Sequence, residues 1–258
     1  MKRLITLLVF IPALLLCQET EYNYKDLFEG NSGTIVIFNA RGNKYIRINE
    51  ERAAIRFPPA STFKIPNSLI GLETGVIEDE NFVIKWDGVE RWNPDWNKDN
   101  TLSSAIKYSV VPYYQELARR VGFEKMQDFL EMINYGNKTI GDQIDMFWLN
   151  GSLQISANEQ VEFLKNFYIY RLPFSRRSFD IVKNIMSEEK YPNSVLKYKT
   201  GTGTLESGDF IGWLVGYVEK ANDIYIFAFN VDGKTFDDVF KIRAELSRKI
   251  LKELKVIE

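Results

Sequence analysis

The final third of the chain holds three apolar runs, "SVLKYKTG", "FIGWLVGYVE" and "DIYIFAFNVDG", with turns at "ESGD" and "KAND". Runs rich in Val, Ile, Phe, Tyr and Trp, bounded by Gly, Asn, Asp and Ser, read as strands and turns. Turns this short leave no room for crossover helices, so antiparallel pairing is expected and a doubly wound parallel sheet is argued against. The opposite end repeats the pattern. "GTIVIFNARGNKYIRINEE" reads as a hairpin, with Ile35 to Phe38 and Tyr45 to Ile48 as strands and "RGN" as the turn.

Between these ends, from about residue 60 to 190, the apolar period is helical. "YYQELARRVG" and "FEKMQDFLEMIN" each stop near Gly or Asn, and "SANEQVEFLKNFY" opens on Ser156 with Glu159 three residues later, a capping box. A tryptophan-rich loop, "WDGVERWNPDWNKDN", separates helices, and an amphipathic helix from about Phe236 to Leu254 closes the chain. The expected fold is therefore α+β: an antiparallel sheet built from both chain ends, flanked by helices, with an inserted and mostly helical subdomain. The sheet part covers about 18–58 and 194–258, and the helical part about 59–193. A chain of 258 residues buries roughly 70–75% of its unfolded surface and needs no disulfide or metal to hold it.

The first residues differ from the rest. "MKRLITLLVFIPALLLC" is a basic head followed by an apolar run from Leu4 to Leu16, too short to span a bilayer and of the length of a secretory signal. Residues 1–17 are expected to be a signal peptide, which makes the protein exported and periplasmic. Two endings stay open: plain cleavage, or acylation of Cys17, which would tether the protein as a lipoprotein. No Ala-x-Ala triplet marks the first, and the bulky Leu16 is unusual for the second. No cysteine follows position 17, so no internal disulfide is expected.

A formal net charge of −2 gives no footprint for nucleic acid, and the basic clusters "SRRSFDIVK" and "KIRAELSRKILKELK" read as solvated helix faces. The absence of histidine removes the Ser-His-Asp triad, histidine metal sites and the imidazole shuttle. "KTGTGT" has the wrong order for a phosphate loop, and Asp95 with Asp99 reads as surface acid rather than a glycosidase pair.

A serine activated by lysine remains. In "PPASTFKIPN", Ser61 and Lys64 fall on one face of a helical turn, with Phe63 and Ile65 beside them. At an ordinary pKa only roughly one lysine in 2,500 is neutral at pH 7. Apolar burial lowers that pKa by up to about 3–5 units, so greasy company turns the amine into a base. Ser-x-x-Lys recurs at Ser104, Ser187 and Ser194, but Ser187 precedes "EEK", a polar turn, and none of the three has the Pro-Pro-Ala approach to a helix start. Free backbone N–H groups there stabilise developing negative charge, and Pro66 makes a 3₁₀ or kinked first turn the expectation. A second element, Lys199-Thr200-Gly201, ends the strand "SVLKYKTG". There a cation and a hydroxyl suit a carboxylate, and glycine permits close approach.

Ser-x-x-Lys followed by Lys-Thr-Gly resembles the serine β-lactamase and penicillin-binding protein superfamily. The middle motif, Ser109-Val110-Val111, resembles that of class D β-lactamases, the oxacillinases. "WNKD", Tyr135-Gly136-Asn137, "FWLNGSLQISANEQ" and "YKTGTG" follow in matching order across nearly the whole mature chain. The resemblance implies a single catalytic domain, 18–258, that hydrolyses the β-lactam ring of penicillin-type antibiotics and confers resistance. It implies Ser61 as nucleophile and Lys64 as a base carboxylated on its side-chain nitrogen by carbon dioxide. Trp148 would hold the carbamate, and Val111 leaves Lys64 no charge to keep it protonated. Ser109 would pass a proton to the lactam nitrogen with help from Lys199. The N–H groups of Ser61 and Thr202 would form the oxyanion hole, beside Gly201. Thr200 and Arg243 would bind the substrate carboxylate. No cofactor or metal is implied beyond carbon dioxide or bicarbonate. The expected partner is a small β-lactam, with no nucleic acid and no membrane contact except through Cys17; monomer and homodimer both stay open. Two rivals share the fold: a β-lactam sensor acylated without turnover, and a cell-wall peptidase, whose Ser-x-Asn is missing here.

Overall fold

The computed structural model describes residues 23–258; the signal-peptide reading and Cys17 lie outside the described residues. A six-stranded antiparallel sheet organises the chain, and its first and last strand pairs meet in the middle. Gly33–Asn39 lies between Lys44–Ile48 and Asp223–Gly233, with Ile35 opposite Ile48 on one side and Phe229 on the other. Phe210–Lys220, Ser194–Thr204 and Ser187–Tyr191 continue the sheet outward from there. Pairing the chain's two ends closes the middle of the chain, mostly helical, into an insertion on one face.

Alternation along each strand sorts side chains to opposite faces. Ile35, Ile37, Leu196, Leu214 and Phe229 turn toward the closing helix Phe236–Glu253, packing against its Leu246 and Ile250. Val36, Trp213, Val215 and Ala228 turn the other way, into the larger core shared with helices Lys64–Glu73, Val111–Val121 and Ala157–Tyr168. Ser156 caps the last of these, accepting from the Glu159 N–H while Glu159 accepts from the Ser156 N–H.

One reading is corrected. Ser187 does not begin a polar turn; it begins the edge strand Ser187–Tyr191, inside the stretch assigned to the helical part. The strand was hidden by its charges, which are those an exposed edge carries to resist pairing with other chains. They are also partnered: Glu188 pairs with Lys197, and Glu189 with Arg248.

Candidate active site

The nucleophile turn is built from three unusual backbone features. Ala60 adopts φ +48°, and its N–H donates to the Trp148 carbonyl at 3.0 Å. Ala60–Phe63 then forms a 3₁₀ turn that runs directly into the α-helix Lys64–Glu73, as the position of Pro66 predicts. The turn is held from three sides. Trp213 donates its indole N–H to the Pro58 carbonyl (3.0 Å), and Gln160 donates to Thr62 Oγ1 (2.9 Å). Along the third side runs the Lys-Thr-Gly strand, so close that a Cβ at Gly201 would lie 3.0 Å from the Pro59 carbonyl oxygen. Glycine is favoured there by close contact rather than by backbone angle, since a side chain would press on the turn.

Lys64 has no exposed surface, and its Nζ donates to Ser61 Oγ at 2.9 Å. No carboxylate pairs with it among the described residues; the Tyr114 ring, centred 5.1 Å from Nζ, is its neighbour instead. Burial alone pulls its pKa down to about 7, so near neutrality a large share of the amine is uncharged. The other three Ser-x-x-Lys pairs form no such bond. Ser104 caps a helix with Thr101, Ser194 accepts from the Glu258 N–H, and Lys190, three residues after Ser187, pairs with Glu188.

That burial has a measurable cost. Since the folded-state pKa lies below that of the unfolded chain, the unfolded state binds more protons between about pH 7 and 10.5, and stability attributable to Lys64 rises with pH there. Below about 7 both states are protonated and the full penalty, on the order of 5 kcal/mol, is present. Lys64→Met should therefore stabilise the fold at pH 6, with the gain shrinking as pH rises through 9. Urea unfolding in degassed buffer measures it; a gain that stays constant with pH would assign the titration to another group.

Lys199 is 2% exposed, and its Nζ donates to Ser109 Oγ at 3.1 Å and to the Thr200 carbonyl at 2.9 Å. Burial first, then the positive charges of Lys64 and Arg243, hold it well below the ordinary lysine range. Ser109 reaches it from a left-handed position, φ +54°, just before the helix that Val111 begins. Trp96 steadies this corner by donating its indole N–H to the Tyr108 carbonyl at 3.2 Å.

Arg243 is not the solvated arginine that its helix suggests. It is 4% exposed, and its Nη1 donates to the Gly201 carbonyl (2.9 Å) and to Thr202 Oγ1 (2.8 Å). The hydroxyl it engages is that of Thr202, while Thr200 lies two positions away on the same face of the strand. Burial lowers its pKa to about 10, and its Nε has no hydrogen-bond partner among the described residues. Lys64, Lys199 and Arg243 are thus three buried cation-forming side chains without one paired carboxylate among the described residues. Such a site favours an anionic ligand.

Trp148 is 1% exposed, stacks on Phe63 with ring centroids 5.6 Å apart, and has a buried indole N–H without a partner among the described residues. Its loop is clamped by Asn137, which donates to the Ser152 carbonyl and accepts from the Gln154 N–H. Gly136, at φ +56°, passes so near the Gln154 carbonyl that any side chain would collide with it. Tyr135 is packed between Phe63 and Phe163. The Tyr-Gly-Asn motif therefore positions Trp148. Asp95 and Asp99 are spent on Lys98 and on the Trp86 N–H, which leaves no glycosidase pair. Sequence reasoning missed Tyr114, whose hydroxyl meets Ser68 Oγ at 2.8 Å beneath Lys64; its place three residues after Val111, on the same helix face, was the available signal.

Residues 31–252 match the family described as the penicillin binding protein transpeptidase domain, and the chain belongs to that family. Among curated relatives, β-lactamase OXA-48 of Klebsiella pneumoniae is 43% identical over 227 residues, covering 88% of this chain and 85% of that protein. The solved class D β-lactamase YbXI from Nostoc superposes with a TM-score of 0.86 at 43% identity, covering 91% of this chain and 99% of the other. Within the family the chain is a class D β-lactamase, a serine hydrolase. Regulatory protein BlaR1 of Bacillus licheniformis is also similar, 36% identical over 87% of this chain but only 37% of its own length.

Proposed function

We propose that the protein destroys penicillin-type β-lactams through an acyl-enzyme on Ser61, with Lys64 working as its N-carbamate. The observation that carries this is the 2.9 Å contact between Ser61 Oγ and a fully buried amine that no carboxylate among the described residues neutralises. The residues fit a carbamate at that position: Lys64 is buried and partly neutral, and the unpartnered N–H of Trp148 offers a buried donor. Bound there, the carbamate supplies an anionic oxygen that accepts a proton from Ser61 or from water.

The chain's own groups account for the remaining steps. Ser61 Oγ forms a bond to the lactam carbonyl carbon as the ring C–N bond breaks, and the departing nitrogen takes its proton from Ser109. Lys199, hydrogen-bonded to Ser109, replaces that proton. The N–H groups of Ser61 and Thr202 stabilise the oxyanion. Arg243, with Thr200 and Thr202 on the strand face beside it, binds the substrate carboxylate. Water then cleaves the ester and frees Ser61. Export, and a tether at Cys17 or none, belong to the same proposal, as does the absence of any further cofactor; no helix among the described residues is long and apolar enough to cross a membrane.

Hydrolysis of a chromogenic cephalosporin with and without bicarbonate tests the reading. Sustained turnover that rises with bicarbonate is expected. One stoichiometric burst, unchanged by bicarbonate, would instead make the protein a β-lactam sensor that is acylated without turnover.

A further inference from the structure

A cavity of about 310 Å³ is lined by Val110, the neighbour of Ser109 in the chain, and neither Ser61 nor Ser109 lines it. Its size is at the lower end of small-molecule sites. Ile84, Val110 and Pro112 give it an apolar lining beside the buried polar side chain of Asn100, and two indoles, Trp86 and Trp96, also line it. The rim is charged, and both acids on it are already taken. Asp87 is paired with Arg91, and Glu116 is shared by Arg119 and Arg120. Lys85, also on the rim, has no carboxylate partner among the described residues, so the uncompensated charge is positive. Flat aromatic side chains, apolar lining residues and a spare cation together suit one chemical class, a small aromatic carboxylate.

Two lining residues lead directly to the catalytic groups. Trp96 holds the Tyr108 carbonyl with its indole N–H, and Val110 follows Ser109 in the chain. Ser109 sits in the left-handed region, where a residue with a side chain persists only because its surroundings fix it. Its Oγ in turn accepts from Lys199. A ligand resting on Trp96 and Val110 touches both supports of that strained residue.

We propose that this cavity is a second binding site, for a small aromatic carboxylate, whose occupancy alters catalysis through Trp96 and the Ser109–Val110 backbone. Its occupancy does not depend on which base serves Ser61.

The probe is 2-naphthoate, followed by saturation-transfer NMR on the purified protein and by cephalosporin hydrolysis. Saturable binding with a dissociation constant on the order of 1 mM or tighter is expected. Lys85→Glu and Trp86→Ala, both at exposed positions, should each weaken it about fivefold or more while leaving basal hydrolysis unchanged. Arg243→Ala should leave naphthoate binding intact, and the probe should lower kcat rather than only raise KM. Loss of binding in Arg243→Ala with retention in Lys85→Glu would place the probe in the catalytic cleft and overturn the site. Absence of saturable binding would overturn it too, and binding with kcat untouched would overturn the coupling. Should Arg243→Ala fail to fold, Lys85→Glu and Trp86→Ala decide alone.

Discussion

Replacing Lys64 by alanine should stop turnover at the ester, leaving a penicilloyl group fixed on Ser61 and lowering steady-state hydrolysis by about 10³-fold or more. The asymmetry between the two half-reactions comes from the site itself. During acylation Ser61 is held in the cleft and a second proton path exists through Ser109 and Lys199, whose amine is held below the ordinary lysine range by burial and the neighbouring positive charges. Ester hydrolysis uses water, a poorer nucleophile, and no histidine is present anywhere in the chain to activate it. A positioned base is worth about 10²–10⁴-fold, and its loss falls on the step with no substitute. Intact mass spectrometry after brief exposure to a penicillin should show one adduct persisting for hours in Lys64→Ala and none in Ser61→Ala. Rapid clearance of the adduct from Lys64→Ala would sink the assignment of the base. A stable fold in the variant is expected, because the substitution removes a buried cation-forming group rather than a paired one.

How far the sequence leads depends on whether a residue's role is local. The sheet was legible because turns such as "ESGD" and "KAND" force antiparallel pairing, and the closing helix, Phe236–Glu253, ends within one residue of its expected limit. Ser61 and Lys64 were legible because three residues of helical turn bring hydroxyl and amine together without help from the rest of the fold. Arg243 was different. Nothing in "FKIRAELSRKIL" distinguishes it from Arg248, and only the packing of the closing helix on the sheet carries it to Thr202 while Arg248 turns to Glu189. The Ser187–Tyr191 strand was illegible for the opposite reason: its charges answer to the strand's exposed edge, and the pairing that makes it a strand comes from Ser194–Tyr198. Likewise Asn137 stands out in the sequence only by resemblance. Its work as a clamp becomes visible once the Gln154 backbone lies beside it.

Val111→Asp should lower hydrolysis at ambient carbon dioxide by about 10- to 100-fold, and added bicarbonate should restore part of the loss. Val111 is the first residue of its helix, one turn before Tyr114, whose ring abuts Lys64 Nζ. Residues three apart share a helix face, so a carboxylate at 111 would be brought toward the amine. An opposite charge at about 4–6 Å raises a lysine pKa by roughly 1–3 units. Starting from about 7, that shift takes the neutral amine from a large share of the population at pH 7 to roughly 10% or less. Only the neutral amine reacts with carbon dioxide, so carbamylation falls in proportion, and higher bicarbonate pulls the equilibrium back. The substitution should not harm the fold, since an aspartate in the first turn of a helix is favourable. The wild type and the variant should also separate in pH dependence: activity of Val111→Asp should keep rising at alkaline pH where the wild type has levelled. If bicarbonate changed neither protein, the carbamate would lose its support, and Lys64 would have to act as the free amine.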